Sequence, residues 1–104
     1  DSGPAPRIRD ADVESPFPVY EELLDFLRIL WNDAGMVHAD FSDYNILWQD
    51  GEPWVIDAGQ SVVESHPNAK EFLVRDATRL VQWANRQGLD VELADAMATI
   101  LGDE

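Results

Sequence analysis

At 104 residues the chain is sized for one small domain with one modest core, and an apolar fraction of 45% sets it among globular rather than disordered sequences. It has no cysteine, which excludes a disulfide framework and a thiolate metal site, and no apolar run near the ~18 residues of a membrane-spanning helix. Twenty-one acidic residues against seven basic ones give a net charge of −14. Such a surface repels phosphate polymers and anionic membranes, so neither direct nucleic-acid binding by this domain nor membrane association is expected. The first residues, Asp1-Ser2-Gly3-Pro4-Ala5-Pro6, have neither the basic nor the apolar region of a signal peptide. Together with the absence of cysteine, this makes the expected location cytoplasmic. Two explanations of the charge stand open: a solubility device, or a surface suited to a high-salt cytoplasm, where repulsion is screened over a few ångströms.

Residues 1–16 are rich in proline and charge and read as a connector; Pro4, Pro6 and Pro16 lack amide donors and bias their neighbours to extended shapes. A helix is predicted to start between Ser15 and Pro18, with Glu21 and Glu22 in its first turn. Tyr20, Leu23, Leu24, Leu27, Leu30 and Trp31 fall at helical spacing, Phe26 and Ile29 widen the stripe, and Gly35 is a natural terminator. The period then changes. Met36-Val37-His38 is a short extended piece, and Ile46-Leu47-Trp48 and Trp54-Val55-Ile56 are apolar runs around Asp50-Gly51, a strong hairpin signal. Residues 58–67 read as a loop. Asn68 with Glu71 resembles a capping box at the start of a helix running to about Gln87, with Gly88 as its stop. Asp90 is expected to cap a last helix carrying Leu93, Ala94, Met97 and Leu101. The fold class read from this order is α+β, mainly α.

Three oxygen-bearing side chains stand at the ends of the short apolar segments: Asp40, Asn45 and Asp57. A carboxylate at position 40, in a loop held by packed structure, can accept a proton from an attacking hydroxyl. The amide oxygen of Asn45 and the carboxylate of Asp57 are hard donors, and the hairpin can bring them together. One carboxylate and one amide oxygen, with water and phosphate oxygens completing the shell, suit Mg²⁺ bound together with a nucleotide. His38, after an apolar pair, reads as a loop-supporting residue, His66 as a loop or capping residue, and Tyr44, Phe41, Trp48 and Trp54 as packing. Asp76 shares a helical stripe with Phe72 and Leu80, extended by Trp83 and Ala84. A carboxylate there must find partners. The loop amides near His38 and Asp40 are the expected donors, with Arg75, Arg79 or solvent as the alternatives.

The order His-x-Asp-x-x-x-x-Asn, strand, Asp-x-Gly (His38, Asp40, Asn45, then Asp57-Ala58-Gly59) is that of the protein-kinase-like fold. Val37 to Leu47 and Val55-Ile56-Asp57-Ala58-Gly59-Gln60-Ser61-Val62 closely resemble the RIO family of atypical serine/threonine kinases, most of all its archaeal type. Gly3 to Asp10, Ser65 to Ala69 and Glu71 to Asp76 resemble other stretches of the same family, so the likeness covers nearly the whole chain. The resemblance implies a catalytic Asp40, Asn45 and Asp57 holding Mg²⁺ (or Mn²⁺) against ATP, and support from His38 and Asp76. Ser42 would face the phosphates where ordinary protein kinases carry a lysine, and Ala39 stands where many carry an arginine. The family further implies an aspartyl-phosphate route through Asp57, ATP hydrolysis beside protein phosphorylation, and a role in maturing the small ribosomal subunit. With eleven residues from Asp57 to Asn68, no long activation loop is expected.

The family's Gly-rich loop, ATP-pairing lysine and helix glutamate lie before the hinge-like stretch and have no counterpart here; Lys70 follows Asp57. Residues 17–104 are therefore expected to be a kinase C-terminal lobe that binds ATP poorly alone. Two competing readings share part of the pattern: a small-molecule phosphotransferase of the aminoglycoside or choline kinase type, and a scaffold lobe without catalysis.

Overall fold

The computed structural model describes residues 6–39, 41–43, 45–55, 62–63 and 67–102. Helix α1 (Pro16–Asn32) begins with proline at its first position, where a missing amide donor costs nothing. It buries Val19, Tyr20, Leu23, Leu24 and Leu27. Glu21 and Glu22 fall beyond the first turn, because the helix starts at Pro16 rather than later. Phe26 widens the buried stripe by packing on the core, whereas Ile29 is exposed and does not. Gly35, at φ 66°, turns the chain out of the helix end.

Two short ladders follow. Strand β1 (Met36–Val37) leads into the loop at 38–45, and β2 (Ile46–Gln49) leads out of it. Strand β3 (Glu52–Val55) pairs antiparallel with β2, Ile46 opposite Val55 and Gln49 opposite Glu52. Asp50 and Gly51 between them both have positive φ, 56° and 73°, the signature of a type I′ turn whose twist matches that of the strands. Pro53 is accommodated because, among the described residues, β3 pairs with β2 alone. Strand β4 (Val62–Val63) returns to pair antiparallel with β1, Val37 opposite Val62.

Helix α2 (Ala69–Arg86) buries Leu73, Asp76, Ala77, Leu80, Trp83 and Ala84 along one face. Its N-cap Asn68 makes no side-chain cap hydrogen bond, so the expected capping box does not form. Helix α3 (Leu93–Leu101) starts later than Asp90, with Glu92 as N-cap. The turn before it is held instead by Asn85, whose side chain donates to the Val91 carbonyl at 3.0 Å and accepts from the Val91 amide at 2.9 Å. Ala96 and Ile100 form the buried face of α3, with Leu93, Met97 and Leu101 at its margins. Asn32 donates to the Ile100 carbonyl at 2.6 Å, tying the ends of α1 and α3 together.

The resulting architecture is α+β and mainly helical. Helix α1 packs against α3, α2 and β1, and α2 also meets β1, the strand that leads into the loop. Residues 6–13 are built into this unit: Ile8 is fully buried in a 3-10 turn (Ile8–Asp10), and Val13 is buried in the same core. The Pro6 carbonyl accepts the Trp48 amide at 2.8 Å along the outer edge of β2. Proline supplies an acceptor there without needing a donor. Among the described residues no helix is long and apolar enough to cross a membrane.

Candidate active site

The loop between β1 and β2 is gripped by α2. Asp76 is 1% exposed, and its two carboxylate oxygens accept separate amides, Ala39 N–H at 2.7 Å and Phe41 N–H at 3.1 Å. These are the amides on either side of position 40. Asp40 itself lies outside the described residues, as do Tyr44, Asp57, Ala58, Gly59, Gln60 and His66. Arg75, next to Asp76, donates to the Ala39 carbonyl at 3.0 Å, and its guanidinium lies 5.0 Å from the centre of the Phe72 ring. Ala39 is thus held at both its amide and its carbonyl. Its φ of 74°, costly for an L residue, persists because the surroundings fix it.

Burial pushes the Asp76 carboxyl above the usual carboxylate range. The two amide bonds and the charges of His38 and Arg75 pull the other way and offset only part of that.

The other described loop residues are also packed in place. His38 is 1% exposed, its ring meeting Phe41 edge-on at 5.8 Å. Phe41 is fully buried and stacks on Phe26 of α1 at 6.0 Å. The Asn45 amide donates to the Ser42 carbonyl at 2.9 Å, closing a turn that delivers the chain into β2. Because Ile46 pairs with Val55, β3 ends at the same end of the hairpin as Asn45. That register is what a shared site for Asn45 and a residue just past β3 requires. Ser42 is buried. Trp54 is exposed on the hairpin, and Trp48 packs partly on the core.

One part of the site was absent from the sequence reading. Asp43 is buried; its carboxylate accepts from the Arg86 guanidinium of α2 and lies 3.6 Å from that of Arg9. The Asp43 carbonyl also accepts the Arg9 amide at 3.3 Å. The one available signal was the acidic residue inside an otherwise apolar-flanked loop; its partners are too distant in sequence to be paired by spacing.

Comparison with known proteins agrees with this geometry. The RIO domain family matches residues 1–97. The chain is 42% identical over 100 residues to the RIO-type serine/threonine-protein kinase Rio1 of Haloferax volcanii, covering 96% of this chain and 34% of that protein. It is 36% identical over 104 residues to Rio1 of Methanocaldococcus jannaschii (97% and 35% covered), and 36% identical over 97 residues to human serine/threonine-protein kinase RIO3 (91% and 19%). It therefore spans about a third or less of the length of these relatives. Among solved structures, the Rio2 kinase–ADP/Mg²⁺–phosphoaspartate complex of Chaetomium thermophilum superposes with a TM-score of 0.73 at 26% identity, over 93% of this chain and 34% of that one. A loop held by a buried helix aspartate, the hairpin beside it and a family match over nearly all of its length together make this chain a member of the RIO domain family.

Proposed function

We propose that the full-length protein transfers the γ-phosphoryl group of ATP to serine or threonine hydroxyls of a protein, and that residues 17–104 are its C-terminal, acceptor-side lobe. The observation that carries this reading is the bidentate hold of Asp76 on the amides of Ala39 and Phe41. It is the arrangement a carboxylate at position 40 needs if it is to meet a substrate hydroxyl at a fixed place.

In this reading Asp40 accepts the proton of the hydroxyl as its oxygen bonds to the γ-phosphorus and the bond to ADP breaks. Ser42 faces the phosphates with a neutral hydroxyl. Asn45 and Asp57 would hold Mg²⁺ (or Mn²⁺). An amide oxygen and a carboxylate fit a hard ion that keeps waters and phosphate oxygens in its shell. When bound, the ion neutralises charge on the phosphates. His38 and Asp76 are positioning residues. ATP hydrolysis through Asp57 is a second output of the same groups.

The clamp over the nucleotide belongs to a preceding lobe, so this chain alone transfers phosphate weakly. The protein acts in the cytoplasm of an archaeal-type cell, in maturation of the small ribosomal subunit. The net charge of −14 suits high salt and disfavours direct RNA contact by this lobe.

The test is Asp40→Ala in the full-length protein. Transfer from radiolabelled ATP to a serine peptide should fall by about 100-fold or more, the scale of general acid–base catalysis, with the melting curve unchanged. Transfer at the wild-type rate by this variant overturns the assignment.

A further inference from the structure

Seven basic side chains serve a chain with twenty-one acidic ones, and three of the seven line one cleft. Arg9 comes from the segment before α1, and Arg79 and Arg86 come from α2, two helical turns apart on one face. Ser42, Asp43 and Gln82 complete the lining, and the volume is ≈ 290 Å³. Three guanidiniums less one carboxylate leave a lining charge of +2 on a chain of −14.

Asp43 organises the cleft without neutralising it. Its buried carboxylate sits between Arg9 and Arg86 and so fixes where both guanidiniums point. The Arg86 side chain is 54% exposed, and a guanidinium has five N–H donors, more than Asp43 can occupy. Arg79 is exposed and has no ion-pair partner among the described residues. The positive groups are thus held ready for an anion, which lowers the ordering cost of binding one.

Size and charge narrow the ligand. The volume lies at the small end of the ~300–1,000 Å³ of small-molecule sites, a size that suits one anionic side chain better than a whole nucleotide. A long polyanion is repelled by the chain as a whole, whereas a single charged group feels the field focused in the cleft. Position narrows the source. Ser42 is two residues from Asp40, at most about 7.6 Å between Cα atoms. The lining therefore begins within two residues of position 40 along the chain.

We infer that this cleft receives a phosphoserine or carboxylate side chain flanking the acceptor, which makes acidic or already phosphorylated protein segments the preferred substrates. This rests on the kinase reading above, and two assays separate the two claims. In the first, the full-length protein is given peptides with one acceptor serine flanked by phosphoserine, aspartate, alanine or arginine. The phosphoserine peptide should exceed the alanine peptide about tenfold in kcat/KM at low salt, and less in molar salt. Arg79→Gln and Arg86→Gln should bring that ratio toward one, and Arg79→Lys should restore part of it. Equal use of the two peptides, or a preference intact in both glutamine variants, overturns the inference.

The second assay follows anisotropy of the labelled phosphoserine peptide without ATP. Binding weakened about tenfold by Arg79→Gln supports the cleft even if no peptide is phosphorylated, in which case the kinase reading fails alone. Binding indifferent to Arg79→Gln, or displaced equally well by a single-stranded RNA of similar length, sinks the cleft whatever the rates.

Discussion

Replacing Asp76 by asparagine keeps the shape of the side chain and removes one of its two acceptors. The carboxylate now serves two buried amides with one oxygen each, at 2.7 Å and 3.1 Å. Asparagine offers one carbonyl oxygen and an NH₂ group, so one of the amides must face a donor. A buried amide left without its acceptor costs about 1–3 kcal/mol, and the surviving bond loses its charge assistance. Against this, the variant no longer buries a charge, a relief made real by the raised pKa of Asp76. The net expectation is a loss of about 2 kcal/mol, or about thirty-fold in the local opening equilibrium. Amide hydrogen exchange read by NMR on the full-length protein checks it, because the loss should fall on Ala39 and Phe41 before it spreads along α2. Asp76→Ala removes both acceptors and should open the loop further. Unchanged protection at both amides in Asp76→Asn, or a loss spread evenly over α2 with none added at the loop, would refute the view that this carboxylate holds the loop.

Two further outcomes follow from the same structure. Because burial raises the Asp76 pKa, the folded chain takes up that proton before the unfolded chain does as pH falls. The stability Asp76 contributes is therefore greatest below the ordinary carboxylate range and is lost as pH rises through the raised value, with a slope of at most about 1.4 kcal/mol per pH unit. Urea midpoints of wild type and Asp76→Asn, compared from pH 7 to pH 4, should diverge in favour of wild type as pH drops, and a constant gap contradicts the shift. Gly51→Ala meets no atom within 4 Å, so its cost is the backbone alone: about 1–2 kcal/mol for an alanine at φ 73°, less the ~0.4–1 gained by restricting the unfolded chain. The net expectation is a small loss, at most about 1.6 kcal/mol, and a thermal melt raised by this change would contradict the type I′ turn.

The features that were legible in the sequence are those set by local rules. Asp-Gly between two apolar runs specified the hairpin because only residues tolerant of positive φ make that turn. Asp76 announced itself because a carboxylate between Phe72 and Leu80 on an apolar stripe needs buried donors. What escaped depends on contacts made across the fold. Strand β4, two residues in a stretch that reads as loop, is too short to show a period, whereas the extended piece at Met36 and Val37 was legible. Asn68 and Asp90 have cap-forming side chains, but the chain enters α2 and α3 at angles set by packing, and Asn85 takes over the turn before α3. Residues 1–16 read as a connector because proline and charge dominate them, while Ile8 and Val13, which dock in the core, carry no pattern at that length. The Asp43 pairs with Arg9 and Arg86 join residues dozens of positions apart, and nothing in their spacing selects them from the other acids.

The two anchors on α2 explain why the loop can hold a backbone as unfavourable as that of Ala39. Asp76 takes the amides of 39 and 41, Arg75 takes the carbonyl of 39, and Arg86, ten residues on, takes the side chain of Asp43. Ten residues of helix span about 15 Å, so a single rigid element grips the loop on both sides of position 40 at two separate levels. The two anchors tie residues 39, 41 and 43 to one helix, which is the condition under which a strained backbone such as that of Ala39 survives. The same helix presents Arg79 and Arg86 to the neighbouring cleft, so whatever sets the loop also sets the cleft beside it.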